Sequence, residues 1–117
     1  MVVLISKDLF FMASIRAALE SAGGKLLHIK EWDAAKITAP KEVVALIVDL
    51  SAIKLDSLPE LAQEARIELA SAQLVAFGPH VHANRLEAAV DAGFDQVLSR
   101  GQFSNQIASL VAGWAAS

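Results

Sequence analysis

Cysteine is absent from this chain, which excludes a disulfide framework and any thiolate metal site. No apolar run approaches the roughly 18–20 residues that a membrane-spanning helix needs. The opening Met1-Val2-Val3-Leu4-Ile5-Ser6-Lys7 has neither the basic start nor the long apolar middle of a secretion signal. An excess of positive charge is lacking as well. The formal net charge is −3 and the cations form no stripe, which disfavours a nucleic-acid surface. No Gly-x-Gly-x-x-Gly follows the first apolar run, and no Gly-x-Ser-x-Gly elbow occurs anywhere, so neither a dinucleotide site nor a serine-hydrolase nucleophile is indicated. Repeats, low-complexity tracts and linkers are missing too. The expectations are a cytoplasmic protein with one domain over 1–117, and no cofactor, membrane or nucleic acid.

What is present is apolar: 55% of residues are hydrophobic and 20% charged, which excludes disorder. The chain is organised around Val43-Val44-Ala45-Leu46-Ile47-Val48-Asp49. A strand without polar alternation is buried on both faces, as in the middle of a parallel sheet covered by helices. Asp49 then ends that strand at the carboxyl edge, where ligands gather in open α/β sheets.

Further strands are expected at Val2–Ile5, Lys25–Ile29, Gln73–Phe77 and Asp95–Ser99. Helical periodicity runs from Asp8 through Met12, Ile15, Leu19 and Ala22, with Asp8 as N-cap and Gly23-Gly24 as the left-handed stop. A short helix is expected over Glu31–Ile37. Ser57-Leu58-Pro59-Glu60 fits a capping box opening a helix with Leu58, Leu61, Ala65 and Leu69 inward. Another helix spans about Val81–Ala92, with Leu86, Ala89 and Val90 inward and Gly93 as its cap. In the last, Phe103–Trp114, the residues Ile107, Leu110, Val111 and Trp114 share one face. Five strand–helix units predict a flavodoxin-like three-layer sandwich: a five-stranded parallel sheet in order 2-1-3-4-5 with helices on both faces. That order sets Ser6 beside Asp49.

These units, the single aspartate closing the third strand, and the run Ala89-Val90-Asp91-Ala92-Gly93-Phe94-Asp95-Gln96-Val97-Leu98-Ser99-Arg100 together resemble a response-regulator receiver domain, the CheY-like family. The resemblance covers essentially the whole chain and makes Asp49 the equivalent of the phospho-accepting aspartate. It also shows departures. Receivers hold magnesium with an acidic pair after the first strand; here that pair is Ser6 and Lys7, and Asp8 stands one position late. The hydroxyl residue ending the fourth strand is Gly78. The lysine after the fifth is Arg100, and the proline that follows is Gly101.

The resemblance therefore implies a degenerate, pseudo-receiver member: not an enzyme, not phosphorylated in the usual magnesium-dependent way, and working by protein–protein contact. The alternative within the family is an atypical receiver that still takes phosphate on Asp49 in a phosphorelay. Lys7 or Arg100 is expected to pair with Asp49 and fill the metal's place. Partners implied are a kinase or an output protein. They would meet the surface of the fourth helix, fifth strand and fifth helix, roughly Asn84 to Trp114, at Arg85, Gln96, Phe103 and Trp114, and a homodimer through that surface is a further expectation.

Pro79-His80-Val81-His82 is the oddest local feature. His80 and His82 with Asp49 have the makings of a two-histidine, one-carboxylate zinc or ligand site. The plainer reading, preferred here, is that they cap or solvate the start of a helix. Ser6, Asp49 and His80 are triad residue types, but the missing nucleophile elbow argues for coincidence.

Overall fold

The computed structural model describes residues 1–116. Five strands, β1 (Val2–Ile5), β2 (Leu26–Ile29), β3 (Ala45–Asp49), β4 (Gln73–Gly78) and β5 (Gln96–Ser99), form one parallel sheet in the order β2-β1-β3-β4-β5. This is the expected flavodoxin-like, CheY-like arrangement. β3 is buried along its whole length, because its side chains feed two cores. Leu46 and Val48 face the layer made by α2 (Leu58–Glu68) and α3 (Ala83–Asp91). Ala45 and Ile47 face α1 (Leu9–Ser21) and α4 (Arg100–Ala115). No helix among the described residues is long and apolar enough to cross a membrane.

The helix stops are where glycine was expected. Gly23 has φ +84° and Gly93 φ +92°, left-handed conformations that a side chain would strain. Asp8 caps α1 by accepting from the Phe11 amide at 3.0 Å. The α2 stripe of Leu58, Leu61, Ala65 and Leu69 is buried as expected.

Four expectations need correction. Glu31–Ile37 forms no α-helix, only a 3₁₀ turn at Ala34–Lys36, followed by another at Pro40–Glu42. Asp33 caps the first turn through the Ala35 amide, and Pro40 lacks a donor and disfavours helix in the residue before it. The few residues between them are too short a stretch to repay nucleation. Ser57 makes no capping bond: the chain is already turning through Leu55–Ser57, and its hydroxyl bonds back to the Lys54 carbonyl at 2.7 Å. The capping box instead forms at Ser99 and Gln102, opening α4 three residues earlier than the periodicity indicated. Val90 is 60% exposed, while Ala89 alone of that helix is fully buried.

The surface assigned to partners also changes. Phe103 is wholly buried and Trp114 nearly so, both in the core beneath α4. The Trp114 indole N–H donates to Gln73 Oε1 at 3.1 Å. Arg85 turns inward, donating to the carbonyls of Leu50 at 3.0 Å and Ile53 at 3.4 Å. Gln96 is half-buried. Aromatic and guanidinium groups that looked like contact residues are thus consumed inside the fold.

Candidate functional site

The carboxyl edge of the sheet brings Ser6 and Asp49 together, since β1 and β3 are paired in register from Val2–Ala45 to Ile5–Val48. Both are buried, Asp49 to 3% exposure. Asp49 Oδ2 accepts from the Ser6 hydroxyl at 2.9 Å, and Oδ1 from the Ser51 amide at 3.0 Å. The second bond closes a local turn in which Asp49 caps the 3₁₀ segment Leu50–Ala52. Ser6 is itself fixed from three sides. Its hydroxyl also accepts from the Asp8 amide at 3.1 Å, its own amide donates to the Ile29 carbonyl at 3.2 Å, and its carbonyl accepts from His28 Nε2 at 2.5 Å.

The pair expected between Asp49 and a cation does not form. Lys7 is exposed and makes no ion pair among the described residues. Arg100 pairs with Asp8 instead and lies 4.7 Å from the centre of the Phe11 ring. The Phe11 amide, and after it the Arg100 guanidinium, hold the Asp8 carboxyl below its ordinary value. The physical reason is local. A hydroxyl and an amide beside Asp49 satisfy it with no long side chain to immobilise, while Asp8 stands at the start of the same helix as Phe11.

A shallow cleft of about 270 Å³ remains above the site, lined by Lys7, Asp8, Asp49, Ser51, Ala52 and Arg100. His80 and His82 are exposed and do not line it, so the zinc constellation is not assembled; His82 takes the N-cap position of α3 without a side-chain bond. The donors do not suit magnesium, which demands near-octahedral oxygen ligation. Both Asp49 oxygens are bonded inside the protein, and Asp8 offers its oxygens to Phe11 and Arg100.

Gly78 has a structural partner that no sequence signal announced. Leu50, fully buried, packs over it, so that a Cβ at position 78 would lie 3.3 Å from Leu50 Cβ and 3.4 Å from Cδ1. The space where a hydroxyl side chain would stand is leucine. Gly78→Thr is therefore expected to cost about 1–3 kcal/mol in urea unfolding, as overpacking does. An unchanged midpoint would show that Leu50 yields freely. Arg85, 35 residues along the chain, locks the loop carrying Leu50 through its carbonyl; a lone arginine on a helix gives no hint of that in sequence.

No family model matches this chain, and no curated protein matches it. Solved structures do. A response regulator from Thermotoga maritima superposes with TM-score 0.75 at 18% identity, over 99% of this chain and 97% of the other. A CheY-like protein (tadZ) from Pseudomonas aeruginosa gives 0.71 at 18% identity, over 96% and 92%. An atypical orphan response regulator, described as having a phosphorylation-independent regulatory mechanism, gives 0.70 at 16% identity, over 98% and 92%. The fold is that of response-regulator receiver domains.

Proposed function

We propose that this chain is a receiver-like signalling module that works through protein–protein contact and does not take phosphate on Asp49 by the magnesium-dependent route. The observation that carries the reading is the state of Asp49: buried, with each oxygen already accepting a hydrogen bond from Ser6 or Ser51. Phosphoryl transfer to a carboxylate needs an accessible oxygen and neutralisation of the transferring group, chiefly by metal. Here the acidic pair is replaced by Ser6 and Lys7, the surviving Asp8 is tied to Arg100, and leucine fills the place of the hydroxyl. Asp49 serves instead as a structural side chain that ties β1 to the loop after β3 through Ser6 and Ser51. The fold shared with an atypical orphan regulator of phosphorylation-independent mechanism supports the same reading.

Treatment with acetyl phosphate and magnesium, followed by intact-mass measurement, tests it. The expected result is an unchanged mass. A phosphate adduct that disappears in Asp49→Ala would overturn the proposal in favour of an atypical phosphorylated receiver.

A further inference from the structure

The missing helix between β2 and β3 leaves a groove. It has a volume of about 460 Å³ and lies between the β2–β3 connection and α2, meeting the Asp49 cleft at Lys7 and Ala52. Trp32, Ile53 and Leu61 supply its apolar surface. Glu31, Glu60 and Glu64 line it as well, and the Trp32 indole N–H donates to Glu64 Oε2 at 2.6 Å. Lys7, which it shares with the Asp49 cleft, and Lys54 also line it.

The charge along the α2 side is unusual. Glu60, Glu64 and Glu68 recur every four residues along α2, all exposed, and the exposed Asp56 precedes them in the 3₁₀ turn Leu55–Ser57. Like charges at that spacing oppose helix formation, so the row is unfavourable for the isolated fold. The single cation on α2, Arg66, turns the other way, to Asp95 and the Gly93 carbonyl. Neither ion pair among the described residues neutralises the row. A groove in which Trp32 and Ile53 stand beside three carboxylates, Glu31, Glu60 and Glu64, against two lysines, Lys7 and Lys54, keeps an excess of negative charge and is complementary to cationic side chains that carry aliphatic stems. A second copy of this chain does not provide such a segment. Its cations are scattered singly, the nearest being Lys25 and Lys30, and Lys36 and Lys41, each five positions apart.

We propose that this groove docks a basic, amphipathic segment of another protein, its lysines or arginines meeting Glu60 and Glu64 and its apolar side chains meeting the half-buried Trp32 and Ile53. The proposal rests on the reading of the chain as a partner-binding module and gives that partner a chemistry.

The test uses the intact protein with a synthetic amphipathic leucine–lysine peptide, followed by the NMR resonance of the Trp32 indole N–H. The expected result is a saturable shift of that resonance that weakens as salt is added. Glu60→Gln with Glu64→Gln should weaken binding by about tenfold or more, whereas Asp91→Asn on α3 should leave it unchanged. Both changes replace exposed carboxylates, and a retained amide spectrum verifies the fold. The inference is overturned if the indole resonance does not move, if the glutamine variant binds as well as the parent, or if the corresponding leucine–glutamate peptide binds equally. Failure here is separable from failure of the Asp49 reading. A phosphate adduct would sink that reading with the groove untouched, and an unmoved indole would sink the groove with Asp49 still unmodified.

Discussion

Phe103→Ala is expected to remove about 3–5 kcal/mol of stability in denaturant melts. Phe103 is wholly buried where α4 crosses the sheet, stacked on Phe77 with ring centroids 4.7 Å apart and an interplanar angle of 21°. Phe11 of α1 completes the cluster, 4.9 Å from Phe77 and 5.7 Å from Phe103. Three rings from α1, β4 and α4 therefore weld one helical layer to the sheet. Truncating Phe103 loses its transfer free energy and leaves a cavity that neighbours on two helices and a strand fill only partly. For a domain whose total stability is roughly 5–15 kcal/mol, that is a large share. The effect extends to the site, because Phe11 also underlies Arg100, the partner of Asp8. A loss below about 1 kcal/mol would mean that the first turns of α4 do not pack as described.

Ser6→Ala is the second large effect, expected at about 1.5–3 kcal/mol, the range for a hydrogen bond to a charged group. It strips Asp49 Oδ2 of its donor at a place only 3% exposed, and deprives the Asp8 amide of its acceptor at the entry to α1. The penalty comes less from the lost bond than from a nearly buried carboxylate left with Ser51 as its one protein donor. A double-mutant cycle with Asp49→Ala separates the two contributions: the cost of Ser6→Ala should shrink markedly once the carboxylate is gone. Equal costs in both backgrounds would show that the hydroxyl's bond to Asp49 contributes nothing.

The contrast between these two sites shows where sequence reading succeeds and where it stops. The Ile107, Leu110, Val111 and Trp114 periodicity locates the last helix and its inward face, yet Phe103 and Trp114, expected also at a partner surface, both lie in the core. Periodicity identifies a stripe. It does not say which aromatic at the end of that stripe reaches the sheet. Arg85 departs from expectation for a related reason: on an amphipathic helix a guanidinium reads as exposed, and only the loop folded against α3 offers it carbonyls. The helix expected over Glu31–Ile37 does not form because Asp33 and Pro40 punctuate too short a stretch, although both signals are present in the sequence.

From the sequence alone come the two-sided apolar strand over Val43–Asp49, the sheet order, the left-handed stops at Gly23 and Gly93, and, through the resemblance to receivers, the departures at Ser6, Lys7 and Gly78. These are local properties, written in runs of a few residues by burial periodicity and by backbone conformations that glycine tolerates. Only the tertiary structure decides that Asp49 bonds to Ser6 rather than Lys7, that Arg100 goes to Asp8, and that Leu50 covers Gly78. Those partners lie 43, 92 and 28 residues apart in sequence, the last being 78 − 50. Which of several chemically suitable neighbours a side chain takes turns on ångström differences in reach that strand register and helix packing set, and residue type alone carries no record of them.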